Sequence, residues 1–243
     1  MIGVGAVSFS SRSGAADSES THVTLVDVNG SRMVALVGVL ASMSALVVLL
    51  GRVGPIGTFG YPTRFLVWNL ILAWMPLGAA WVCWAARSRV LKTVAGVAWI
   101  AFLPNSPYLV TDLVHLGRGD LAQLWRLVLQ FGVAAWTGTM LGIVSLRIMH
   151  ETITKRWGVR AGWCVAMGSI AICAVGVVIG RFQRWNSWDL IAQPSAVAAS
   201  TWQWISAPVT HVASTGVAVA VALYFGFAYL SVWLVESLVR SPR

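Results

Sequence analysis

The chain has 243 residues, of which 58% are apolar and only 10% charged. A soluble domain carries about 25% charged residues, so the composition excludes disorder, a coiled coil and an ordinary soluble enzyme over most of the length. The net charge of +9 comes largely from basic residues placed between apolar runs, which fits membrane orientation better than nucleic-acid binding.

Residues 1–32 are expected to form a flexible tail. Ser10, Ser11, Ser13, Ser18 and Ser20, with Gly14 and Asp17, cannot bury a core, and the stretch lacks the basic-then-apolar layout of a cleaved signal peptide. Six apolar spans follow, near Met33 to Leu50, Phe65 to Trp84, from Leu91 onward, Leu124 to Leu146, Gly162 to Gly180 and Val212 to Val235. The predicted fold class is an all-α polytopic integral membrane protein. One transmembrane helical domain covers residues 33–238, and a short basic tail covers 239–243. Cys83, Cys164 and Cys173 lie inside apolar runs and read as isolated thiols, with neither metal-type spacing nor a disulfide framework. The 14 tryptophans favour headgroup level, so many should mark span ends.

Counting Lys and Arg on alternate sides of six spans gives eleven on the side that holds both termini and six on the other. The richer side faces the cytoplasm, so both termini are expected there. The basic stretch Arg147 to Arg160, with His150 and Glu151, reads as the charged inner boundary and not as a site.

The third span is unusual. Leu91 to Leu103 reaches only about 20 Å at 1.5 Å per residue, short of the ~30 Å hydrocarbon core. Pro104-Asn105-Ser106-Pro107 follows, and each proline removes an N–H and disfavours helix at the residue before it. The helix is expected to stop near Leu103 and restart at Pro107, with Ser106 as N-cap and Gly117 as C-cap. On the restarted helix Tyr108, Thr111, Asp112 and His115 share an arc of about 100°. Broken helices at membrane depth frame binding sites where they line a wet cavity. The plain alternative is a kinked helix whose polar stripe faces headgroups.

After the fifth span comes Arg181-Phe182-Gln183-Arg184-Trp185-Asn186-Ser187-Trp188-Asp189. Span parity delivers this segment to the same membrane face as Asp112 and His115. Arg181 and Arg184 suit a phosphate or carboxylate. Asn186 and Asp189 suit either a site or the capping of the next helix. Residues 195–207 lie between Pro194 and Pro208, are too short to span, and read as an interfacial or re-entrant segment. Asn69, inside the second span, needs a partner in lipid and belongs either to helix packing or to a site.

Three stretches, Trp68 to Pro76, Phe102 to His115 and Leu116, and Arg184 to Asp189, resemble the recurring segments of the bacterial membrane-protein family catalogued as domain of unknown function 1361. The Pro-Asn-x-Pro-Tyr-x-x-Thr-Asp-x-x-His pattern starting at Pro104 is the most specific of them. The resemblance covers roughly Phe65 to Tyr229. It implies a polytopic protein of the bacterial cytoplasmic membrane, and it implies no activity.

Three readings stay open. In the first, an outward-facing site combines Asn105, Tyr108, Thr111, Arg181, Arg184, Asn186, Asp189 and Asn69 with Asp112 and His115. It binds a small anion or a phosphorylated lipid headgroup, with the Pro107 helix N-terminus adding anion affinity. In the second, a membrane enzyme acts on a lipid-linked phosphate. Asp112, His115 and Asp189 would hold a divalent metal there, or His115 would serve as a general base oriented by Asp112. In the third, a structural or assembly protein pairs Asp112 with Arg181 or Arg184. Membrane lipids are the expected surroundings, nucleic acid is not a partner, and no cofactor or protein partner is assigned.

Overall fold

The structure is a computed structural model and describes residues 17–52, 61–118 and 121–240. The start of the tail, residues 1–16, and the last three residues lie outside the described residues. Helices follow one another along the chain: α1 (Asp17–Arg52), α2 (Tyr61–Ala85), α3 (Arg89–Phe102), α4 (Asn105–Thr111), a 3₁₀ segment (Asp112–Arg118), α5 (Leu121–Trp157), α6 (Val159–Phe182), α7 (Asp189–Ala192), α8 (Pro194–Ser206) and α9 (Val212–Arg240). No strand occurs among the described residues. Six stretches are long and apolar enough to cross a membrane: Arg32–Arg52, Arg64–Ala85, Arg89–Leu116, Leu124–Trp157, Val159–Phe182 and Val212–Leu238. These are the six expected spans.

Two boundaries differ from expectation. Helix α1 begins at Asp17, inside the stretch read as tail. Once a span is helical, each further residue adds one hydrogen bond to an existing helix, and extension needs no new nucleus. Helix α5 runs on to Trp157, eleven residues past the expected end at Leu146. At 37 residues it is about 55 Å long, well beyond the ~30 Å apolar core. Ion pairs and a buried hydrogen bond hold the extra turns. Arg147 donates to Glu151 at 2.8 Å and to Glu236 of α9 at 2.6 Å, and the buried His150 Nδ1 meets the Tyr229 hydroxyl of α9. Only Gly158 separates α5 from α6, and its φ of +89° is a conformation that glycine adopts without a Cβ penalty.

The chain divides into two units, residues 1–41 and 42–243. The described part of the first is helical throughout. In the second, packing rests on close approach and buried polar bonds, because lipid tails are as apolar as leucine and supply no hydrophobic drive between helices. Trp74 Nε1 donates to Ser44 Oγ at 3.1 Å, Trp99 Nε1 to Ser145 Oγ at 3.3 Å, and Gln130 Nε2 to the Val47 carbonyl at 3.2 Å. Trp99 and Trp204 are therefore interior residues, not span-end markers. Cys83 and Cys173 are buried, Cys164 is exposed, and all three are free thiols.

The broken third span is held between two glycine pairs. On α5, a Cβ at Gly138 would lie 2.8 Å from the Ser106 carbonyl, and one at Gly142 would lie 2.7 Å from Ser106 Cβ. On α6, a Cβ at Gly176 would lie 2.5 Å from Pro104 Cγ, and one at Gly180 would lie 3.3 Å from the Tyr108 ring. Both pairs have the Gly-x-x-x-Gly spacing that lets membrane helices touch backbone to backbone. They seat residues 104–109 deep between α5 and α6.

Candidate functional site

The interruption of the third span is tighter than the sequence suggests. Helix α3 ends at Phe102 and α4 begins at Asn105, so only Leu103 and Pro104 lie between them. Both keep right-handed helical angles. Pro107 falls inside α4 and does not start it, and Ser106 is not an N-cap; its hydroxyl is buried without a partner. The expected anion site at the Pro107 helix start is also absent, because the Ser106 and Tyr108 N–H groups already donate to Leu103 and Pro104 carbonyls. Asn105 covers the break. Its Nδ2 donates to the Phe102 carbonyl at 2.9 Å and to Ser187 Oγ at 3.0 Å, which joins the two polar motifs directly.

The second joint is ionic. Asp112 is fully buried. Its Oδ1 accepts from Arg181 Nη1 at 2.9 Å and its Oδ2 from Asn69 Nδ2 at 3.1 Å. Arg181 Nη2 also donates to the Thr111 carbonyl at 3.0 Å. The Thr111 hydroxyl turns back to the Tyr108 carbonyl at 2.7 Å. Residues 69, 112 and 181 thus form one node from three spans, and the two polar motifs share one end of the bundle. This is the ion pair that the structural reading anticipated.

His115 does not use the Asp112 carboxylate. Its Nδ1 lies 2.9 Å from the Asp112 backbone carbonyl, an acceptor only, so Nδ1 carries the proton and Nε2 is left as the second functional nitrogen. Phe65 and Phe131 flank the ring at centroid distances of 5.4 and 6.3 Å and fix its plane. The expected general base oriented by a carboxylate is therefore replaced by an imidazole oriented by a carbonyl. The switch to 3₁₀ geometry at Asp112 aims that carbonyl at the ring three residues on.

Asp189 stays apart. Its Oδ2 accepts from the Asn186 backbone N–H at 2.7 Å and from Asn186 Nδ2 at 3.4 Å. Both residues serve the start of α7, with the capping direction reversed from the expected one. Among the described residues no group of three His, Cys, Asp or Glu side chains is placed to hold a metal. The Asp112–His115–Asp189 ligand set does not assemble, because two of its three members spend their oxygens on other partners.

What remains is a cavity of about 370 Å³ lined by Phe65, Tyr108, His115, Gly180, Arg181 and Arg184. Among the described residues no carboxylate lines it. Arg181 is neutralised by Asp112 and lies 5.7 Å from the Tyr108 ring centroid. Arg184 is exposed, and its guanidinium has no ion-pair or hydrogen-bond partner among the described residues. Its backbone has φ 62°, the left-handed region, and no other described non-glycine residue has positive φ. That conformation carries a penalty of roughly 1–2 kcal/mol for an L side chain.

A family model described as "Protein of unknown function (DUF1361)" matches residues 68–232. The chain belongs to the DUF1361 family. Neither a curated protein nor a solved structure matches it. The matched stretch of this DUF1361 chain contains the whole Asn69–Asp112–Arg181 node and every cavity-lining residue except Phe65. Sequence reasoning overlooked Phe65, Phe131, Ser187 and the two glycine pairs. The Gly-x-x-x-Gly spacing at 138/142 and 176/180 was the available signal for the last of these.

Proposed function

We propose that this integral membrane protein binds an anionic group, phosphate or carboxylate, in the cavity at Arg184 and His115. The carrying observation is that, among the described residues, the Arg184 guanidinium has no partner and the cavity it lines has no acidic side chain. With Asp112 and Arg181 cancelling, Arg184 leaves a net positive charge there. A guanidinium fork matches the paired oxygens of a phosphate or carboxylate. In the same lining Tyr108 adds a donating hydroxyl, and His115 Nε2, with the ring proton on Nδ1, accepts from a protonated phosphate oxygen.

Asp112, Asn69, Asn105 and Thr111 hold the wall in place, and Asn186 and Asp189 start the next helix. By the excess of basic residues on the opposite side, the cavity faces away from the cytoplasm and both termini are cytoplasmic. The test is ligand-induced stabilisation of the detergent-purified chain. Inorganic phosphate at about 100 times its Kd raises stability by about 2.7 kcal/mol. Arg184→Gln abolishes that response and leaves the ligand-free melting point unlowered. A wild-type melting curve indifferent to phosphate, carboxylates and anionic lipids alike overturns the proposal.

A further inference from the structure

A second cavity of about 210 Å³ adjoins the first. The two share Tyr108 and Gly180 in their linings. Their chemistry differs sharply. The second is walled mainly by apolar side chains, among them Leu72, Ile100, Ile172, Val175, Ile179 and Val197, with Asn105, Asn186 and Ser187 at its polar end. It lies between α2, α3 and α6. From Gly180 to Ile172 it follows α6 for eight residues, about 12 Å toward the middle of the span.

Three of its lining residues, Trp68, Ile172 and Leu190, are 51%, 49% and 45% exposed. Ile172 lies within the fifth span, where an exposed side chain meets hydrocarbon, so this wall of the chamber borders the bilayer. The two cavities meet at Gly180, where the Tyr108 ring packs closely: a Cβ there would lie 3.3 Å from the ring and 3.5 Å from the Trp185 carbonyl.

We infer that the ligand is an amphiphile, an anionic lipid with a phosphate monoester head that sits at Arg184 and His115 and a hydrocarbon chain that enters the chamber between α2, α3 and α6. This rests on the anion-site reading and narrows its ligand class. A free anion uses only the polar cavity and leaves the chamber without a purpose. An amphiphile uses both, and it arrives by lateral diffusion past Ile172. Tyr108 stands where head and chain join, with its ring toward both cavities.

The experiment has two arms on the full chain. In the first, detergent-purified protein is titrated with butyl phosphate, which presents the head with almost no chain. In the second, the protein in phosphatidylcholine vesicles receives a trace of phosphatidic acid with a diazirine in its acyl chain. Adducts are mapped after illumination, beside a choline-headed diazirine lipid as the reference. The expected result is adducts concentrated on Leu72, Ile100, Ile172 and Ile179, enriched about tenfold over the choline-headed reference, the factor that one charge-assisted hydrogen bond to the monoester head supplies. Arg184→Gln and the chamber-filling Leu72→Phe each remove the enrichment, and Leu72→Phe retains butyl phosphate binding where wild type has it.

Butyl phosphate binding with phosphatidic acid adducts spread as the choline-headed ones are overturns the inference and leaves the anion site standing. No butyl phosphate binding and no enrichment overturns both. Chamber adducts that depend on Arg184, with or without measurable butyl phosphate binding, support the amphiphile.

Discussion

Breaking the Asp112–Arg181 pair tests whether the node is what holds the two polar motifs together. The perturbation is Arg181→Met, which keeps most of the side-chain length and removes the guanidinium. Asp112 has no exposed surface, so Arg181→Met leaves a carboxylate with Asn69 as its remaining donor. Removing one partner of a buried pair costs about 3–5 kcal/mol, because the other charge is stranded. The Arg181 side chain is 19% exposed, so water reaches the pair too little to screen it away. At roughly 2–4 °C per kcal/mol for a chain of this size, the melting point falls by roughly 6–20 °C.

Asp112→Leu strands the guanidinium in turn, although Arg181 keeps the Thr111 carbonyl, so its loss lies at the lower end. The double variant Asp112→Leu/Arg181→Met has neither charge. It recovers stability relative to the sum of the single variants, by about 2 kcal/mol or more. Unfolding in mixed dodecylsulfate–maltoside micelles, followed by far-UV circular dichroism, measures all four corners of the cycle. Strictly additive losses refute the reasoning. So does either single variant within about 0.5 kcal/mol of wild type, the range of an ordinary surface change.

Gly138→Ala and Gly142→Ala each lose about 1–3 kcal/mol through overpacking against Ser106, whereas Gly168→Ala and Gly216→Ala, with nothing within 4 Å of the new Cβ, gain about 0.5–1 kcal/mol from helix propensity; the same micelle unfolding separates the two classes. Arg184→Gly raises the melting point, since glycine removes a left-handed penalty of roughly 1–2 kcal/mol, and it eliminates phosphate-induced stabilisation; a variant that is both stabilised and phosphate-responsive contradicts the assignment. Gly158→Ala and Gly158→Asn, at φ +89° and ψ 168°, each lose about 1–3 kcal/mol, because that region is open essentially to glycine alone; either variant at wild-type stability refutes the conformational argument for the α5–α6 turn.

The spans were legible because a bilayer imposes a length and a polarity that few other environments demand. The interruption at Pro104 was legible because a missing N–H has only a few consequences. That Asp112 and Arg181 reach one membrane face followed from span parity, since the two crossings of the fourth and fifth spans return the chain to the face it left. The partner that each polar group takes was not legible. Whether His115 faces the carboxylate or the carbonyl of Asp112 depends on the change from α to 3₁₀ winding at that residue. Whether Asp189 points to a metal or to its own helix start depends on the turn at Asn186. Both are decided by backbone geometry over one or two residues, below the resolution of any periodicity argument. The glycine pairs were readable but were passed over, because attention to polar stripes hides a stripe of small residues.

The two arginines at the end of α6 make the division of roles concrete. Had α6 continued through residue 184, three residues at 100° each would have set Arg184 within about 60° of Arg181, beside the Asp112 node. The helix instead ends at Phe182, the Trp185 N–H closes onto the Ile179 carbonyl at 3.3 Å, and Arg184 turns through the left-handed region. One guanidinium is thereby consumed inside the fold and its neighbour is held off, unpaired, at the cavity mouth. A purely structural role for this loop would favour glycine at 184, which reaches the same backbone angles without penalty. An arginine there retains strain that packing does not require, and backbone strain of this kind collects at sites that bind.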